Sequence, residues 1–184
     1  MAQELLRQDL AENGSWIHID GRWSRIYGSF LHQGASIEWH DFRLATELAW
    51  SKSFHQHSLE ICLNFMGQGL FGVGKTGVEL QSSRAALYTC DDSRVPARLS
   101  PETSHRFLTL EFSGEYLVHT FSDVLDGLKP GLLAWIDGRS AGLVERVELP
   151  PQLLIFREHI LRPPVPSSAY WLWLEGKIAE ALVA

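Results

Sequence analysis

Between residues 35 and 112 the chain is cut into short apolar runs, ASIEWHDF, RLATELAWS, LEICLNFMG, LFGVG, TGVELQ, RAALYTC and RFLTLEF, separated by Gly, Ser, Asn or Asp. Many of them alternate apolar with polar, the period of a half-buried strand. Seven such runs in succession predict an antiparallel sandwich or small barrel. After residue 113 the period lengthens. EYLVHTFSDVL places Leu117, Phe121 and Val124 on one helical face with Gly127 as a stop. PQLLIFREHIL opens on prolines and ends before Pro163 and Pro164, and SSAYWLWLEGKIAEALVA carries Trp171, Leu174, Ile178 and Ala181 as a stripe behind the caps Ser167 and Ser168. The pattern predicts a mainly β fold with C-terminal α: an arm or helix over 1–14, where Leu5, Leu6 and Leu10 have helical spacing, a β domain over 15–113, and two or three helices over 114–184.

Composition narrows the function. With 184 residues, 45% hydrophobic, the chain can bury a core as one domain. A net charge of -6 argues against a surface that holds a phosphate backbone, which needs clustered Lys and Arg. Cys62 and Cys90 fit no disulfide framework, the start MAQELLRQDL lacks the basic end and apolar run of a signal peptide, and no apolar run reaches membrane-spanning length. The expected setting is a reducing cytoplasm with no membrane partner.

GLFGVGKT, residues 69–76, satisfies G-x-x-x-x-G-K-[ST], the loop that cradles nucleotide phosphates. The chemistry needs a helix directly after the lysine, whose N–H groups bind the phosphates. Here GVELQSS follows, with Val78 and Leu80 alternating with Glu79 and Gln81, which predicts a strand. Gly74 to Gly77 then turn a hairpin with Lys75 at its solvated tip. LLAWID, residues 132–137, imitates the apolar strand and Mg²⁺-directed aspartate of nucleotide enzymes, but the alternating strands and helices of that fold are missing.

A second constellation is FHQHSLEICLNFMGQG, with His55, His57, Glu60, Gly67 and Gly69. It resembles the first motif of cupins, small β-barrels whose metal-binding members take two His and a Glu here and a further His from a later strand, where His105 stands. The resemblance is partial: Ser58 and Leu59 alone separate His57 from Glu60, an offset of three that turns Glu60 to the opposite strand face unless a bulge intervenes. Pro101, Glu102, Thr103 and Ser104 stand where a second cupin motif would carry Pro-x-Gly. The metal reading, a cupin enzyme of dioxygenase or isomerase type with His55, His57, Glu60 and His105 as ligands, is the alternative. The preferred reading has no metal and no cofactor.

The order of motifs resembles the amino-terminal effector domain of AraC/XylS-family transcription regulators: FHQHSLE before an apolar strand, then MGQGLFGV, a hairpin, a further strand, and SHRFLTLEF. The ending YWLWLEGKIAEALVA is similar to the linker helix of the pyochelin-regulator branch. The resemblance implies a cupin-like, non-enzymatic sensor domain. It would bind a small-molecule effector, form a homodimer through its C-terminal helices, and reach DNA only through helix-turn-helix units outside this chain. Trp39, Trp50, His55, His57, Glu60, Asn64, Tyr88 and His105 are the candidate ligand contacts, and Phe156, Ile160, Trp171, Leu174 and Ile178 the candidate dimer contacts. A regular strand over 59–66 would put Ile61, Leu63 and Phe65 on one side and Glu60, Cys62, Asn64 and Met66 on the other.

Overall fold

A computed structural model describes Ile19 and residues 21–72, 77–90, 96–139, 144–148 and 151–183. The strands are β1 (Gly21–Ser29), β2 (Ala35–Arg43), β3 (Ser58–Met66), β4 (Gly69–Phe71), β5 (Val78–Leu80), β6 (Arg84–Cys90), β7 (Ala97–Leu99), β8 (Ser104–Ser113) and β9 (Val144–Glu148). The helices are α1 (Phe30–Gln33), α2 (Gly114–Phe121), α3 (Pro130–Ile136), α4 (Pro151–Leu161) and α5 (Tyr170–Val183). A six-stranded sheet runs β1-β2-β8-β3-β6-β9 and a three-stranded sheet runs β5-β4-β7, with every pairing antiparallel. The mainly β architecture with C-terminal helices is as expected, but among the described residues the strands form two sheets and no closed barrel.

The large sheet is buried on both faces, and its register sorts the side chains. The rows Ala35, Phe112, Leu59 and then Ile37, Leu110, Ile61 and Trp39, Leu108, Leu63, Ala85 point one way. They share one core with Leu117 of α2, Leu132 and Trp135 of α3, Phe156 and Ile160 of α4, and Leu174, Ile178, Ala181 and Leu182 of α5. Alternate rows point toward the small sheet: Ser36, Glu111, Glu60, Tyr88; Glu38, Thr109, Cys62, Ala86; His40, Phe107, Asn64. A second core joins Phe42, Cys62, Ala86, Tyr88 and Phe107 to Phe71, Leu80 and Leu99 of the small sheet and to Trp50 and Phe54 of the connecting segment.

Two junctions hold this frame. Ser113 ends β8 and caps α2, its Oγ accepting from Tyr116 N at 3.1 Å, so the helix leaves the sheet at a fixed angle. Gly67 joins β3 to β4 at φ 103, and a Cβ there would lie 2.5 Å from His105 Nδ1. Only glycine fits both the backbone and the space.

Several segments depart from the sequence pattern. RLATELAWS is not a strand. Leu48 makes one isolated bridge to Leu99, and Trp50–Ser53 winds into a 3₁₀ turn that drives Trp50 into the second core. LLAWID is helical, begun by Pro130 at its first turn, with Leu132 and Trp135 buried three residues apart. The helix from Gly114 gives way after Phe121 to a 3₁₀ stretch reaching Gly127. Region 114–184 also supplies β9, which pairs with β6. β4 and β5 pair as the hairpin reading requires, but the turn with Lys75, like the arm over 1–14, lies outside the described residues. Among the described residues no helix is long and apolar enough to cross a membrane.

Candidate functional site

The polar side chains that the register aims between the sheets are buried together. Glu60, 4% exposed, stands beside Tyr88 on one neighbouring strand and Glu111 on the other. Tyr88 Oη donates to Glu60 Oε1 at 2.5 Å. Burial, followed by the nearby charge of Glu111, pushes the Glu60 carboxyl well above the usual carboxylate range, against the opposing pull of the Tyr88 hydrogen bond. The Tyr88 hydroxyl is pushed up as well, first by burial and then by Glu60.

The other polar members are tied in around this pair. Glu111 accepts from His55 N at 3.2 Å and its second oxygen lies 2.8 Å from His55 Nδ1, while the His55 ring stacks on Phe30 at 4.5 Å. Glu38 accepts from Trp23 Nε1 at 2.9 Å, and His40 Nε2 lies 3.3 Å from Thr109 Oγ1 and 3.6 Å from Glu38. Burial lowers the His40 pKa to about 3, so this imidazole is neutral in the folded protein. Next to these groups the rings of Trp50, Phe54, Phe71, Tyr88 and Phe107 pack edge and face, with Phe71 and Tyr88 4.5 Å apart and Trp50 and Phe107 5.0 Å apart. The result is a packed aromatic cluster with a carboxyl group and a phenol at one wall, the chemistry that orients a largely apolar small molecule.

The candidate ligand residues separate into groups. Trp50, Glu60 and Tyr88 come together, and Asn64 shares their face. Asn64 Nδ2 donates to the carbonyls of Gly67 and Gln81 at 3.0 and 2.9 Å, so it pins two turns. His105, with its pKa lowered by burial, lies on the same face beside Phe42, its Nε2 2.8 Å from Ser100 O. His55 joins through Glu111. Two candidates fall elsewhere. Trp39 shares the parity of Ile37 and points to the helices, where the Arg157 guanidinium lies 5.4 Å from its ring. His57 is exposed at a turn with φ 55. His57 lies before β3 begins at Ser58, so strand parity does not relate it to Glu60, and among the described residues no three His, Cys, Asp or Glu side chains converge to hold a metal ion. The alternative ligand set of His55, His57, Glu60 and His105 is not assembled.

Of the candidate dimer contacts, Phe156, Ile160, Leu174 and Ile178 are buried in the chain's own core. Trp171 is 56% exposed, next to Leu172 at 77%. Glu38, His40, Thr109 and Glu111 were not candidates. In ASIEWHDF and RFLTLEF they fill the polar half of an alternation, which reads as a solvent face when one sheet is considered alone.

The chain matches the family described as "Regulatory protein PchR N-terminal domain" over residues 20–184. No curated protein matches it. Among solved structures it is similar to an apo variant of ToxT from Vibrio cholerae strain SCE256, at 12% identity and TM-score 0.50, covering 78% of this chain and 53% of that one. A second ToxT structure from Vibrio cholerae shares 9% identity at TM-score 0.49, covering 80% of this chain and 54% of that one. The chain thus spans about half the length of these ToxT structures. The plu4264 protein of Photorhabdus luminescens shares 12% identity at TM-score 0.38, covering 57% of this chain and 85% of that one.

Proposed function

Because this chain belongs to the regulatory protein PchR N-terminal domain family and is a regulatory domain rather than an enzyme, we propose that it senses a small-molecule effector on the inter-sheet face of its large sheet. The signal passes through the helices over 114–184 to a DNA-reading part, in the cytoplasm and as a homodimer. One observation carries this reading: β3 is a single wall between two compartments. Glu60 on one side belongs to the buried polar cluster, and Ile61 and Leu63 on the other are packed in the core that holds α4 and α5. A ligand that prefers one position of β3 acts on the helices through close-packed atoms, and the size of the response is its differential affinity for the two arrangements.

The dimer contact in this reading is the end of the α4 and α5 pair where Leu161, Trp171 and Leu172 are exposed. His159 and Trp173 meet there with ring centroids 6.4 Å apart, so both helices contribute to the same end. An exposed Trp suits the centre of a protein interface.

A thermal-shift screen of small molecules tests the sensing half. A compound at 100 times its Kd stabilises the folded state by about 2.7 kcal/mol. At about 2–4 °C per kcal/mol for a chain of this size, Tm rises by about 5–10 °C. The shift should shrink in Tyr88→Phe. A shift that survives Tyr88→Phe and Glu60→Gln unchanged contradicts an inter-sheet site. Size-exclusion chromatography with light scattering tests the other half: a dimer that becomes a monomer in Trp171→Ala is expected, and a strict monomer at high concentration sinks the dimer.

A further inference from the structure

The outer face of the small sheet carries a pocket of about 240 Å³ whose floor is Leu70 and the backbone of Gly69. Register decides which side chains surround it. Gly69, Leu80 and Leu99 form one row, and Leu80 and Leu99 are buried in the second core. The row Glu79, Leu70, Arg98 has the opposite parity and points away from that core, into the pocket. Adjacent strands lie about 4.8 Å apart, so the Cα atoms of Glu79 and Arg98 are about 10 Å apart with Leu70 between them.

The two opposite charges are each held on their own side of the floor. Arg98 Nη1 lies 3.7 Å from Oε2 of Glu47, which lines the same pocket, with 56% and 55% of the two side chains exposed. Glu79 Oε2 accepts from Gln81 Nε2 at 3.0 Å. An exposed ion pair of the Arg98 kind is worth little, so exchanging Glu47 for a ligand carboxylate costs little, and the planar guanidinium grips a carboxylate with two parallel hydrogen bonds. The pocket thus has Arg98, paired with Glu47, at one wall, Glu79 at the other and Leu70 between. Its volume falls below the roughly 300–1,000 Å³ that encloses a drug-sized ligand, so the occupant is smaller. The geometry points to a second small-molecule site, separate from the inter-sheet face, that takes a free α-amino acid with its carboxylate on Arg98, its ammonium on Glu79 and its side chain over Leu70.

Ligand-observed NMR with a panel of free α-amino acids tests this, run beside the matching amines that lack the carboxylate and the acids that lack the amine. Saturable binding of at least one amino acid is expected, weakened more than tenfold in Arg98→Gln and in Glu79→Gln, with each partial analogue also more than tenfold weaker. Both substitutions lie on the outer face, so an unchanged Tm for the two variants shows that lost binding is not lost folding. Four results would each overturn the site: no amino acid binds saturably, the variants bind as the parent does, one partial analogue binds as well as the zwitterion, or both variants unfold.

Discussion

The two faces of the large sheet bury comparable side chains in different chemistry. Toward the helices the rows are Ala, Ile, Leu, Phe and Trp, with Arg157 reaching in over Trp39 and Phe65 at 5.4 and 5.3 Å. Toward the small sheet the rows hold Ser36, His40, Ser58, Glu60, Asn64, Thr109 and Glu111 among the aromatics. An apolar face gains stability from area alone and tolerates many packings. A polar face must satisfy each group, which costs stability but defines one arrangement. The first face is therefore built to couple elements, and the second to discriminate.

Breaking the apolar face should give the largest loss. Leu174→Ala empties a fully buried site at the centre of α5, and about 2–5 kcal/mol should vanish from the unfolding free energy in urea.

The polar face should show itself through pH. His40, buried with a pKa of about 3, refuses a proton that the unfolded chain takes up below its ordinary 6.5. Stability present above pH 6.5 is then lost as the pH falls toward 3, at about 1.4 kcal/mol per pH unit. In His40→Gln that slope should flatten across the same interval, as read from unfolding curves at each pH. Glu60 acts with the opposite sign. Its folded pKa is raised, so its contribution is fully present below the ordinary 4.5 and declines as the pH rises from there toward the folded value. Glu60→Gln should remove that decline and equal or exceed the parent in stability at pH 8.

The smallest effect belongs to the cation between the rings. Arg157→Met keeps the stem and removes the charge over Trp39 and Phe65, at a cost of about 0.5–2 kcal/mol.

The same comparison explains what could be read from the residues. The strands β2, β3, β6 and β8 were legible as short apolar or alternating runs bounded by turn residues, and the helices α4 and α5 because of their prolines and wider apolar spacing. β1 was not, because the register slips between Arg25 and Tyr27 and breaks the alternation of Trp23, Ile26 and Tyr27. β7 has three residues, and β9 is a charged VERVE that pairs only because β6 offers it an edge. In the candidate site, the split of Glu60 and Asn64 from Ile61 and Leu63 followed from parity alone. The partner of Glu60 did not, since Tyr88 and Glu111 are brought to it by pairings across 28 and 51 residues of chain. Burying a helix stripe in its own core rather than a dimer depends on what the sheet offers opposite it, and Phe112, Leu110 and Leu108 offered enough to take Leu174 and Ile178 inward.

The difference between the faces is tested most directly by calorimetric titration of the first compound found to stabilise the protein, into the parent, Tyr88→Phe and Arg157→Met. Affinity should fall at least tenfold in Tyr88→Phe, about 1.4 kcal/mol, and stay within about twofold in Arg157→Met, where only the coupling face is touched. Equal losses in both variants, or a loss confined to Arg157→Met, would contradict the assignment of sensing to the polar face.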